Sequence, residues 1–354
     1  MQSLALSYRP KNFDEIVGQK AVAQLLKKMV EKGVTPPVML LTGPRGCGKT
    51  STARVLGAAL NCEAEGDLPC GKCDSCQAVF EDSSMSYREI DASTNGLVAD
   101  IRRLQEEILY AVPGTCQVLV LDEAHGLSTA ASNALLKTLE ECPDNVVFIL
   151  VSTESDKIIK TIRSRCMTFQ FHQVSPEIIA RRLYEINQVE KLEIQDEVII
   201  RIADRADGAL RDALMTLDQI SRSNIVTIAQ YEELFGNPDY APHLLEAVVE
   251  GNTIKSFELL DNQVTTSGNP TSVLNSLVQV IRDIMVIKEG GQTTHKATSL
   301  KIRERLAARI PSPVLFAAMR VMWDLKIKLR MADDTSALSM GVVMLMDIMK
   351  ENNV

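Results

Sequence analysis

Aromatic side chains are scarce in this chain: phenylalanine, tyrosine and tryptophan make up 4% of it, with a single tryptophan. That scarcity argues against single-strand binding by base stacking, which needs ring faces presented in succession. No apolar run approaches the ~20 residues of a membrane-spanning helix. The opening Met1-Gln2-Ser3-Leu4 lacks the basic-then-apolar layout of a signal peptide. The expectation is a cytoplasmic protein with no membrane partner. A basic excess is missing too. Lys and Arg number 38 against 46 Asp and Glu, a net charge of −8, so any contact with nucleic acid must be a local patch or an interior channel. There is no internal repeat and no low-complexity tail. At 354 residues the chain exceeds one ordinary core, and two or three domains are expected.

What is present begins with Gly43-Pro44-Arg45-Gly46-Cys47-Gly48-Lys49-Thr50. This is the phosphate-loop pattern G-x-x-x-x-G-K-[ST], between the apolar run Val38-Met39-Leu40-Leu41 and a helical segment through Leu60. The glycines let the backbone curl so that successive N–H groups face phosphate oxygens. The positive end of the helix adds to that field. Lys49 then reaches the outer phosphates, and the Thr50 hydroxyl ligates Mg²⁺. The bland alternative is a glycine-rich turn that happens to carry Lys-Thr. Pattern and flanking elements together favour a nucleotide site, with Lys49 open to solvent.

Further strands are predicted at Tyr87–Ile90, Val118–Leu121 and Val146–Val151, with a final one within Cys166–Phe171. The central runs are apolar without strict alternation, as in parallel strands covered on both faces. Helices are predicted at 21–30, 98–110 and 129–140, giving the alternation of a parallel α/β sheet. From Ser175 the pattern is helical, at 177–188, 196–206 and 210–221. Gly236-Asn237-Pro238 marks the second boundary. The domains expected are 1–173, 174–235 and 236–354.

Asp122 and Glu123 follow an apolar strand, whose carboxyl end delivers side chains to a ligand site. Asp122 is expected to hold Mg²⁺, and Glu123 to orient and deprotonate an attacking water. The alternative is an acidic helix start, favourable on electrostatic grounds alone. His125 by itself carries no message. Cys62, Cys70, Cys73 and Cys76 form C-x7-C-x2-C-x2-C in a segment with Gly66, Pro69 and Gly71. Chelating spacing in a loop with no core of its own predicts structural Zn²⁺ held by four thiolates, within a module spanning about residues 61–80. Free thiols are the alternative. Cys47, Cys116, Cys142 and Cys166 are scattered and read as small apolar residues. Nothing local separates Arg165 in Ser164-Arg165-Cys166, or Arg211 in Gly208-Ala209-Leu210-Arg211-Asp212-Ala213, from ordinary surface charge.

Together these segments resemble the ATPase subunits of bacterial sliding-clamp loaders, of the AAA+ class. Tyr8-Arg9-Pro10, Phe13, Ile16-Val17-Gly18-Gln19, the phosphate loop, the cysteine insertion, Asp122-Glu123-Ala124-His125, Ala134–Glu141, Ser164-Arg165-Cys166 and the Arg211 segment carry the likeness in the right order. The resemblance implies an α/β AAA+ phosphate-loop domain with a zinc-binding insertion, then a small helical lid domain and an all-α C-terminal collar. It implies ATP as substrate. Arg9 and Val17 would lie by the adenine, and the phosphate loop with Cys47 and Ser51 would hold the phosphates. Thr153 would sense the γ-phosphate, Arg211 would be a second sensor, and Arg165 an arginine finger for ATP on a neighbouring subunit. The implied partners are other clamp-loader subunits in a pentameric ring, the sliding clamp and primer–template DNA. The segment Thr94–Arg103 is the candidate DNA contact, against the alternative of a capped helix with a basic face. Lys301, Arg303, Arg305 and Arg309 read as a solvated collar face. A non-hydrolysing scaffold subunit of the same ring is a competing reading, as is a branch-migration or recombination ATPase. The intact Lys49, Thr50, Asp122 and Glu123 set speaks against the first, and the cysteine insertion against the second. A small-molecule kinase lacks support, because nothing resembles an acceptor lid.

Overall fold

The computed structural model describes residues 3–64, 66–94, 96–108, 114, 116–235, 240–267, 270–291, 300–329 and 335–352. They form two compact units, Met1–Val226 and Thr227–Val354. The Gly236-Asn237-Pro238 boundary lies outside the described residues.

In the first unit α1 (Leu4–Ser7) and α2 (Lys20–Glu31) precede β1 (Val38–Thr42) and α3 (Lys49–Leu60). Then come α4 (Asp74–Phe80), β2 (Tyr87–Asp91), α5 (Val98–Glu107), β3 (Gln117–Asp122) and α6 (Thr129–Glu140). β4 (Val146–Ser152), α7 (Lys160–Arg163) and β5 (Met167–Gln170) complete a five-stranded sheet of order β2-β3-β4-β1-β5. All its pairings are parallel.

Residue parity sorts the sheet's two faces. Met39, Leu41, Val118, Val120, Ile149 and Val151 pack with α2, α3 and α4, while Val38, Leu40, Leu119, Leu121, Phe148 and Leu150 pack with α5, α6 and α7. Period-2 geometry dictates that division, and burial on both sides explains why the runs are apolar throughout. The strand β1 lies between β4 and β5, so the loop leaving it is held from both sides. After β5, α8 (Pro176–Glu190), α9 (Asp196–Arg205) and α10 (Leu210–Arg222) pack on one another through Ile179, Leu183, Ile199, Ile202 and Leu217, all buried.

Two expectations need correction here. The cysteine segment is not all loop: α4 runs through it and carries Cys76 and Val79, both fully buried, into the core beneath α3. Its amphipathic pattern is too short to stand out among Gly, Pro and Cys. The second unit is helical throughout its described residues: α11 (Ile228–Phe235), α12 (Tyr240–Val249), α13 (Thr253–Ser267), α14 (Pro270–Lys288), α15 (Leu300–Arg309), α16 (Ser312–Leu329) and α17 (Thr335–Glu351). There Arg303 is buried, not solvated, with Nε 3.3 Å from Asp283 Oδ2. A charge in the core persists only with a partner. Among the described residues, no helix is long and apolar enough to cross a membrane.

Candidate functional site

The phosphate loop follows β1 and opens α3. Gly43, Gly46 and Gly48 have φ of 145°, 75° and 100°, conformations that suit glycine. Space is also short: a Cβ on Gly46 would lie 2.8 Å from that of Ala209, and one on Gly43 would meet the Phe171 backbone. The loop therefore presses against both the segment after β5 and the start of α10. The Arg211 amide continues that contact by donating to Gly46 O at 3.4 Å.

A cavity of about 1360 Å³ opens over this loop. Its lining includes Arg9, Val17, Gly46, Cys47, Gly48, Lys49, Thr50, Ser51, Asp122, Glu123, Thr153 and Arg211. Most residues singled out in the sequence thus meet in one place, drawn from six separate segments. Lys49 departs from expectation: it is 6% exposed. Its ammonium curls back to donate to Gly43 O and Pro44 O, both at 2.8 Å, because a charge this deep requires acceptors. Burial pulls its pKa down, while Cys47, Glu123 and Asp122 pull it up.

Thr50 Oγ1 donates to Asp122 Oδ2 at 2.8 Å, across from α3 to the end of β3. Burial raises the Asp122 pKa; the Thr50 hydroxyl and the Glu123 amide, which donates to Oδ1 at 2.8 Å, oppose the rise. Glu123 itself takes a left-handed backbone conformation, φ 48°. Thr153 Oγ1, just past β4, donates to its Oε2 at 3.1 Å. Arg9 Nε donates to Ser51 Oγ at 3.3 Å, and burial lowers the pKa of that guanidinium.

Arg165 does not line the cavity. Its guanidinium lies at the surface, where Nη1 donates to Thr161 O at 2.7 Å and Nη2 pairs with Glu140. On Thr94–Arg103, α5 begins at Val98 with Asp100 accepting from the Leu97 amide, and Arg102 and Arg103 are exposed.

The four cysteines converge apart from the cavity, their sulfurs all within 4.8 Å of one another. The amides of Lys72 and Cys73 point at Cys70 Sγ and lower its pKa to about 6. Burial raises that of Cys76. Four sulfurs at this spacing, one already biased to thiolate, fit tetrahedral Zn²⁺.

Sequence reasoning missed several supports. Buried Gln19 clamps the loop: its Nε2 donates to His172 O (2.6 Å) and Cys47 O (3.4 Å), and its Oε1 accepts from the His172 amide (3.2 Å). Buried Arg54 binds Asp82 (2.6 Å) and Glu89 (2.8 Å), tying α3 to β2 and to the turn after α4. Tyr8 donates to Glu190 on α8 at 2.5 Å. Nothing in a linear pattern marks these pairs, which are distant in the chain.

The family model described as DNA polymerase III, delta subunit, matches residues 18–175. Among curated proteins, Bacillus subtilis DNA polymerase III subunit tau is 33% identical over 330 residues, covering 91% of this chain and 59% of its own. The gamma/tau subunit of Mycoplasma pneumoniae is 36% identical over 293 residues, covering 80% and 43%. That of Mycobacterium tuberculosis is 34% identical over 296 residues, covering 81% and 51%. The chain spans about half the length of these relatives. A Thermotoga maritima RuvB variant shares the fold with a TM-score of 0.50 at 17% identity, covering 86% of this chain and 100% of its own. Over the length it shares with these relatives, the chain is similar to the gamma/tau subunits of DNA polymerase III, and its parallel sheet with flanking helices is the fold it shares with RuvB.

Proposed function

We propose that the chain is the ATP-hydrolysing motor subunit of a clamp loader, working in a pentameric ring to place a sliding clamp on primer–template DNA. The observation that carries this reading is the meeting of Lys49, Thr50, Asp122, Glu123 and Thr153 in one cavity, with Thr50 and Asp122 in direct contact.

ATP is the substrate. Backbone N–H groups from Arg45 to Ser51 and the Lys49 ammonium hold its phosphates, Gly43 shapes the loop, and Arg9 and Val17 face the adenine. Thr50 and Asp122 would hold Mg²⁺, which when bound neutralises charge on the phosphate oxygens. Glu123 takes a proton from a water as that oxygen attacks the γ-phosphorus and ADP leaves. Thr153 reads the γ-phosphate, and Arg211 reports it to the helices at 174–235, the lid. Arg165 serves the ATP of an adjacent subunit, where such a finger is worth on the order of 10³–10⁵ in rate. Cys62, Cys70, Cys73 and Cys76 would hold a structural Zn²⁺ with no position left for catalysis. Residues 236–354 form the collar of the ring, and the assembly works in the cytoplasm.

The test is Glu123→Gln in the reconstituted ring. ATP binding should persist while turnover falls by roughly 10²–10⁴, the usual worth of a positioned general base. Undiminished turnover removes that assignment.

A further inference from the structure

We infer that His125 is a positioning residue that aims the Glu123 carboxylate, an inference resting on the proposed role of Glu123 as general base. The residue lies in the short 3-10 turn Ala124–Gly126 that follows Glu123. Its ring is 19% exposed. Nδ1 is 3.3 Å from Glu123 Oε2 and 3.2 Å from Ser152 Oγ, and Nε2 is 3.6 Å from Glu154 Oε1. The ring therefore bridges the end of β3 to the turn after β4.

Thr153 Oγ1 donates to the same Glu123 oxygen at 3.1 Å. Thr153 Oγ1 donates to Oε2 and His125 Nδ1, which also meets Ser152 Oγ, lies 3.3 Å from it, while among the described residues no hydrogen bond reaches Oε1. A glutamate side chain has three rotatable bonds, so an unclamped carboxylate samples many directions. With Oε2 pinned, Oε1 becomes the oxygen that faces the cavity and takes the water's proton. The turn is itself held, since the Glu154 amide donates to Ser152 Oγ at 3.0 Å and Lys157 pairs with Glu154 at 2.8 Å. His125 thus sets the base by reference to the segment that carries Thr153. The clamp requires a hydrogen on Nδ1, and an asparagine amide at this position reproduces that donor.

The experiment compares His125→Ala, His125→Asn and Glu123→Gln in the assembled ring, with kcat and KM for ATP hydrolysis and separate ATP-binding and melting measurements. His125→Ala should lower kcat by about 10- to 100-fold, the scale of an ångström misplacement, with KM, ATP affinity and melting temperature little changed. His125→Asn should recover most of the loss. An unchanged kcat in His125→Ala, with Glu123→Gln slow, overturns the inference and leaves the general-base reading standing. A kcat loss that tracks a fallen melting temperature and is not recovered by Asn also overturns it, in favour of a packing role. Full turnover in Glu123→Gln removes both.

Discussion

The Asp122 carboxyl is raised by burial, against donors at Thr50 and Glu123. The sign follows directly. A folded-state pKa above the unfolded value means that the ionised form is disfavoured by folding, so above both values this group subtracts from stability. The deficit disappears as pH falls through the raised folded pKa. In Asp122→Asn the amide oxygen still accepts from the Glu123 amide and the NH2 group donates to Thr50 Oγ1 in place of accepting from it, while the charge is gone, so the ligand-free melting temperature at neutral pH should exceed that of the parent. In the other direction, protonation of Asp122 competes with Mg²⁺. MgATP affinity should weaken as pH falls below neutrality more steeply in the parent than in Asp122→Asn, as equilibrium binding at successively lower pH would show. Equal slopes would count against Asp122 as a ligand. Both carboxylates were legible as the end of an apolar strand. Invisible in the sequence were the fold-back of Lys49 onto Gly43 and Pro44, and the ring of His125 against Glu123, because each depends on side-chain geometry between segments.

At the scale of elements, the phosphate loop is defined as much by what lies behind it as by its own glycines. Gly46→Ala sets a Cβ against Ala209 at a positive φ. Loss of about 1–3 kcal/mol in denaturant unfolding is expected, together with weakened ATP binding because α10 is pushed off the loop. The four-cysteine module makes a different demand. With Cys76 and Val79 buried beneath α3, removing a ligand should loosen the module without melting the sheet. In Cys73→Ser, bound zinc should fall well below about one ion per chain. Amide exchange should accelerate from residue 61 to 80 while β3 and β4 stay protected. Uniform exchange across the sheet would show that the module supports the whole domain. Strand positions and most helix limits could be read from apolar runs, since burial on both faces leaves that trace. Helix α4 could not, because its seven residues lie in a context of turn-formers and its order comes from contacts with α3. Arg303 misled in the same way: a basic residue in a charged helix reads as solvated until Asp283 on α14 is seen beside it.

At the scale of the molecule, the cavity contains every proposed catalytic group except one. Arg165 stands outside it, held at the surface by Glu140 and the Thr161 carbonyl. Arg165→Ala should therefore leave ATP binding by the isolated chain unchanged, while turnover of the assembled ring falls by on the order of 10³ or more. Equal turnover in ring and monomer, with either residue present, would sink the trans arrangement. No such arrangement is legible in the spacing of Ser164-Arg165-Cys166; resemblance alone suggested it.

Tyr8 and Arg9 are neighbours in the chain that grip different helices of the first unit. The phenol holds Glu190 on α8, the guanidinium holds Ser51 at the head of α3, and α1 just before them rests against α10. One peptide unit therefore works as a tether across the cleft. Any displacement of α8 relative to α3 must pull on the cavity wall that Arg9 lines or break this tether, so the mouth and that wall are mechanically linked.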